Sequence, residues 1–107
     1  MIAVFRYQTA DGKEPVTEWL AAIRDKAAQA RIRLRVRRLE SGNLGDTEPV
    51  GEGVMELREH VGAGYRLYFG RHGQTIVILL AGGTKKSQPA DIKVAKAYWA
   101  DWKKRQP

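Results

Sequence analysis

With 107 residues, 43% of them hydrophobic and 29% charged, the chain can build one core but not two, so a single domain over residues 1–107 is expected and a disordered chain is excluded. It contains no cysteine, which rules out a disulfide framework and a thiolate metal site and fits a reducing compartment. The net charge of +7 points toward polyanionic partners, or else to a solvated basic face: arginine and lysine crowd residues 24–38 and 85–105, while Glu40, Asp46, Glu48, Glu52, Glu56 and Glu59 make the middle acidic.

Residues 1–7 form a short β-favouring run with Ile2, Val4 and Phe5, which turns polar too soon for a signal peptide. After the Asp11-Gly12 turn, Pro15 suits the first position of a helix, and Val16, Trp19, Leu20 and Ile23 follow at the spacing of one buried face. Trp19 is therefore expected in the core. The next segment fits two periods. Arg31 to Arg37 alternates as a strand would, yet Ala28, Ile32, Val36 and Leu39 also share one helical face. The uninterrupted length from Asp25 to Ser41, the alanines at its start and the cap offered by Gly42 favour a helix. On that helix Arg31, Arg35 and Arg38 form an exposed basic stripe suited to RNA phosphates, with Arg33 and Arg37 beside the apolar seam.

Residues 43–53 carry three glycines, Pro49 and three acids without periodicity, and read as a loop. A meander of three strands follows. In its first strand Met55 and Leu57 alternate with Glu56 and Arg58; in its second, Tyr65, Leu67 and Phe69 share one face and Arg66 and Tyr68 the other. The turn between them is Gly62-Ala63-Gly64. The third strand is apolar from Ile76 to Ala81, as a strand covered on both faces should be, and is far short of the roughly 20 residues that span a bilayer. The expected location is therefore the cytoplasm. Lys85 and Lys86 leave the strand end, and Ser87 or Gln88 can cap a helix beginning at Pro89. Its buried stripe is Ile92, Ala95, Trp99 and Trp102, with Lys93, Lys96, Lys103 and Lys104 turned away. The order is strand, two helices, three strands, helix: an α+β fold with a four-stranded sheet.

His60 and His72 stand alone, so no metal constellation is visible, and neither a phosphate-binding loop with its lysine nor a nucleophile elbow is present. What is left is a cluster of cations with one or two proton carriers. RNA can be cut without a metal when a base takes the 2′-hydroxyl proton, cations stabilise the phosphorane and an acid protonates the leaving 5′-oxygen. Arg66 and Arg58 suit phosphate, since a guanidinium holds two of its oxygens. Lys85 or Lys86 can bind phosphate or act as base, and Glu56 or His60 can carry a proton. The bland alternative for Glu56 and Arg58 is a solvated strand face.

Several segments in order carry a family resemblance: Gly12-Lys-Glu-Pro15 with Trp19-Leu20; Gly51 to Val54 with Glu56-Leu57-Arg58; Gly64 to Phe69; Thr75 to Leu80; Gly82-Gly83; Lys86-Ser-Gln88; and Asp91-Ile92. Over nearly its whole length the chain resembles the RelE/ParE superfamily of type II toxins, in particular the HigB-like, phage-derived addiction-module killers. The resemblance implies a curved, mainly antiparallel sheet packed by two N-terminal helices. It also implies metal-independent, ribosome-dependent cleavage of mRNA, no cofactor, and neutralisation by a helix-turn-helix antitoxin from an adjacent gene. Arg66 matches the family's third-strand arginine, and Lys85-Lys86 the cation after the fourth strand. The second strand departs, with Val54 and Glu56 where RelE carries lysines. The candidate catalytic set is Arg66, Lys85, Lys86, Arg58 and Glu56; the candidate RNA-binding set is Arg31, Arg35, Arg38, Tyr68 and His60. ParE-type relatives share the fold but inhibit DNA gyrase by binding, and a non-catalytic nucleic-acid-binding module is the third reading.

Overall fold

In the computed structural model, which describes residues 1–106, the chain runs β1 (Ala3–Arg6), α1 (Pro15–Ala22), α2 (Lys26–Glu40), β2 (Thr47–Gly51), β3 (Val54–Glu59), β4 (Tyr65–His72) and β5 (Ile76–Thr84). A single 3₁₀ turn (Lys85–Ser87) then leads into α3 (Gln88–Lys104). One five-stranded sheet has the order β1-β5-β4-β3-β2; β1 pairs parallel with β5 and the other pairs are antiparallel. The architecture is α+β, as expected, but the sheet has a fifth strand.

That strand, β2, lies in the segment expected to be a loop. Thr47 pairs with Leu57, Glu48 with Glu56 and Pro49 with Met55. Thr47 and Val50 are half-buried while their neighbours are exposed. Pro49 is tolerated because β2 is an edge strand, where a missing N–H breaks no ladder. The glycines and acids around it concealed so short an alternation.

The arginine-rich segment is helical. Asp25 Oδ1 accepts from the Ala28 amide at 3.1 Å to start α2. At the other end Gly42, with φ +82°, closes a Schellman motif in which the Asn43 and Gly42 amides donate to the Arg38 and Leu39 carbonyls at 3.0 and 2.9 Å. Ile32 and Leu39 are buried, whereas Leu34, which a strand would have aligned with Ile32 and Val36, is 37% exposed.

The sheet is covered on both faces. Helices α1 and α2 pack on Leu57, Leu67, Phe69, Val77 and Leu79; α3 packs on Val54, Tyr68, Ile78 and Leu80. Two glycines let the helices approach. Trp99 lies against Gly70 and Trp19 against Gly82, each where a Cβ would overlap the indole. Trp19 is thus packed against the core, as expected. Among the described residues, no helix is long and apolar enough to cross a membrane.

Candidate functional site

The polar centre of the molecule forms where β3, β4 and β5 meet the N-terminal end of α3. Register brings Glu56 opposite Tyr68 and Arg58 opposite Arg66, and on the other side of β4 brings Arg66 opposite Gly83 and Tyr68 opposite Ala81. A bulge between Tyr68 and Phe69 skips Leu80, so that after it Ala81 and Gly83 turn to the α3 face. Gly83 must lack a side chain: a Cβ there would overlap the Asp91 carboxylate and come within 2.8 Å of Ser87 Oγ. With that space open, the Ser87 hydroxyl donates to Asp91 in the first turn of α3.

Glu56 is only 2% exposed. Its Oε2 accepts from the Tyr68 hydroxyl at 3.0 Å and from Gln88 Nε2 at 2.6 Å. Burial, and then the Glu56 carboxylate beside it, push the Tyr68 phenol well above the ordinary tyrosine range, so Tyr68 is a fixed donor. Gln88 and Tyr68 therefore lock Glu56 between a strand and a helix.

Arg66 is the exception in this satisfied network. Its side chain is buried, yet Nε and Nη1 have no hydrogen-bond partner, and no carboxylate lies within 4.0 Å of it among the described residues. A buried charge without a bonded counter-charge costs about 3–5 kcal/mol, and buried polar groups are rarely left unpaired. Nε and Nη1 face opposite sides of the guanidinium and are shut from solvent, so no single anion bridges them; a phosphate drawn to the site would supply the missing counter-charge from beside the group.

Lys85 and Lys86 are both exposed on the turn that follows β5. The Lys85 amide donates to the Gly64 carbonyl at 2.8 Å, which fixes the turn against the start of β4, two residues from Arg66. The strand that carries Arg66 and the turn that carries the lysine pair thus meet at one corner.

The other expected site residues are held elsewhere. Arg58 is committed to Asp46 at 2.9 Å and to Glu48 at 2.8 Å; chiefly the Asp46 hydrogen bond raises its pKa. His60 Nε2 lies 2.8 Å from Asp46 Oδ2. The bond with His60, then that from Arg58, holds Asp46 below the usual carboxylate range. This cluster clasps β2 to β3 and leaves Arg58 without a free fork for substrate. Tyr68 is fully buried and offers no ring to a base, which corrects its place in the RNA-binding set. Arg35 is not on an exposed stripe either: its side chain is 12% exposed, and Nη1 donates to the Arg58 carbonyl at 2.7 Å and lies 3.4 Å from Glu59. Arg31, 3.7 Å from Glu59, and Arg38 are exposed. They ride on α2, across the sheet from Tyr68 and α3, so they and Arg66 do not form one surface.

Sequence reasoning on its own gave Ser87 and Gln88 a capping role and gave Asp91 none. The signal for them was the polar run Lys-Ser-Gln-x-x-Asp directly after an apolar strand, which puts three hydrogen-bonding side chains on the first turn of a helix facing the sheet.

No family model matches the chain. A protein of Haemophilus influenzae, described as uncharacterized, is 45% identical over 78 residues, covering 73% of this chain and 79% of the relative. The chain belongs to the same family as that Haemophilus protein.

Proposed function

We propose that this protein is the toxin of a type II toxin–antitoxin pair, of the RelE-like, HigB-related kind, and that it cleaves mRNA on the ribosome. The observation that carries this reading is Arg66, a buried guanidinium whose Nε and Nη1 have no partner, beside the exposed Lys85 and Lys86. The ordered sequence resemblance supports it, and β2 is then an addition to the four-stranded pattern of that superfamily.

In this reading the 2′-oxygen of the substrate attacks the adjacent phosphorus and passes its proton to solvent water, and the bond to the 5′-oxygen breaks as that oxygen takes a proton from Lys85 or Lys86, leaving a 2′,3′-cyclic phosphate. Arg66 supplies positive charge from just beneath the surface as charge builds on the non-bridging oxygens, and the exposed lysine pair adds positive potential at the mouth. Glu56, sealed and already accepting two hydrogen bonds, positions Tyr68 and Gln88 and does not meet the substrate. Arg58 shapes the β2–β3 clasp. The partner would be a helix-turn-helix antitoxin, and the working compartment the cytoplasm.

A second reading has its own support: with Glu56 sealed and Arg58 ion-paired, the corner holds cations without a free carboxylate base, which suits a ParE-like gyrase inhibitor. Induction of the protein without antitoxin, followed by primer extension on cellular mRNA and an assay for gyrase-linked DNA breaks, separates the two. Cut transcripts without DNA breaks support the nuclease; breaks without cuts move the protein to the gyrase inhibitors.

A further inference from the structure

The two edges of the sheet are unlike. On one side β2 carries Glu48, Pro49 and a register shift between Pro49 and Gly51, three devices that discourage further strand pairing. On the other side β1, with the sequence Ala-Val-Phe-Arg, has neither a proline nor a register shift, and its one charge is Arg6 at its end. The amides of Ala3 and Tyr7 donate to the Thr75 and Leu79 carbonyls of the β5 side at 2.7 and 2.8 Å. By alternation, Val4 and Arg6 turn their N–H and C=O outward, where the sheet has no strand. Phe5 on the same strand is 54% exposed.

Beside Arg6 lies a groove of about 340 Å³, formed with α1 and α2 by Leu20, Arg33, Val36, Arg37 and Glu40. Leu20 and Val36 give it an apolar floor. Arg6, Arg33 and Arg37 form a basic rim, and no carboxylate lies within 4.0 Å of any of the three among the described residues, although Glu40 shares the groove. Arg31, Arg35 and Arg58, by contrast, all have carboxylate partners.

We propose that the β1 edge and this groove together form a docking surface for an extended acidic segment of a partner protein, which adds a strand to β1. The backbone of the segment pairs with Val4 and Arg6, its carboxylates meet Arg6, Arg33 and Arg37, and one branched apolar side chain rests on Leu20 and Val36. The site takes about five residues, roughly 17 Å of extended chain, so that alternate side chains bring two carboxylates and one apolar group to the groove. RNA would satisfy the arginines but offers no row of amides to the strand edge, and none of the residues lining the groove is aromatic, so bases have nothing to stack on there. Arg6 Nη1 donates to Thr17 Oγ1 at 2.9 Å, but none of the three arginines has a carboxylate partner among the described residues, and a second copy of this chain would bring these cations against themselves. The docking surface does not depend on the activity proposed at Arg66.

The test uses the full ¹⁵N-labelled chain, titrated with a short synthetic peptide that carries glutamate, valine and glutamate at every second position (Glu-Ser-Val-Ser-Glu), with amide exchange followed residue by residue. Exchange at Val4 and Arg6 should slow by about tenfold or more on saturation, and Arg33→Glu with Arg37→Glu should weaken binding by about tenfold or more without altering the fold. The proposal is overturned if the glutamate peptide fails to bind at millimolar concentration, or binds without protecting these amides. It is equally overturned if the lysine counterpart binds as tightly, if a single-stranded RNA oligomer displaces the peptide and occupies the groove, or if the chain alone dimerises with Val4 and Arg6 already protected.

Discussion

Gln88 Nε2 donates to Glu56 Oε2 at 2.6 Å, tying the first residue of α3 to the middle of β3. The bond spans 32 positions of sequence, and it sets how the helix start sits over the corner that holds Arg66. Gln88→Ala leaves a buried carboxylate with one donor fewer, at a cost of about 1–3 kcal/mol. Denaturant unfolding should show the midpoint fall with an unchanged slope. No change in midpoint would mean that water replaces the amide without penalty.

Gly70 and Gly82 leave room for Trp99 and Trp19. Gly70→Ala should push the Trp99 indole off the sheet and destabilise the protein by about 1–3 kcal/mol or more, since neither the strand nor the ring has an easy retreat. Trp99→Leu in the same background should recover part of the loss if overlap is the cause. A thermal scan of the single and double variants reads both.

Acid should loosen the β2–β3 clasp. Asp46 is held below its ordinary value of 3.8, first by the bond with His60 and then by that from Arg58. Because its pKa is depressed on folding, its contribution is complete above the unfolded value and is lost as pH falls through the folded one. Amide exchange in β2 should therefore quicken below pH 3.8, and Asp46→Asn should show that faster exchange already at neutral pH. Exchange in β2 that is independent of pH across this range would contradict the assignment.

Alkali should find Tyr7 late, and Tyr68 too. Burial, then the hydrogen bond to Asp101, raise Tyr7 from 10.0 to about 12. A phenol with a raised pKa contributes stability that is complete below 10.0 and is lost as pH rises through about 12. Absorbance of tyrosinate should show Tyr7→Phe removing one step at about pH 12, while the step of the still more buried Tyr68 remains.

Much of this molecule was legible in the sequence because its period was clean. Val16, Leu20, Ile32 and Leu39 sit on the helical faces their spacing gave them, and Leu57, Leu67 and Phe69 face one core as strand alternation required. The edge strand β2 was not legible, since Thr47 and Val50 are its only inward markers among acids, a proline and glycines. At the site, alternation put Arg66 and Tyr68 on one face but carried no information on depth. Alternation leaves open whether a helix covers that face, and α3 does: it seals Glu56 and Tyr68 and strands Arg66 without a partner. Arg35 was misread for a related reason: helical phase places it beside Arg31 and Arg38, and only the approach of β3 shows that Glu59 and the Arg58 carbonyl capture it.

The most direct measurement compares wild type with Arg66→Met, reading ribosome-dependent mRNA cleavage and thermal unfolding on the same preparations. If the guanidinium is held unpaired to receive phosphate, cleavage should fall by about 10² to 10³, while the melting temperature stays level or rises because an uncompensated buried charge has been removed. A folded Arg66→Met that cuts mRNA at the wild-type rate, or one that loses its fold along with its activity, would contradict that role for Arg66.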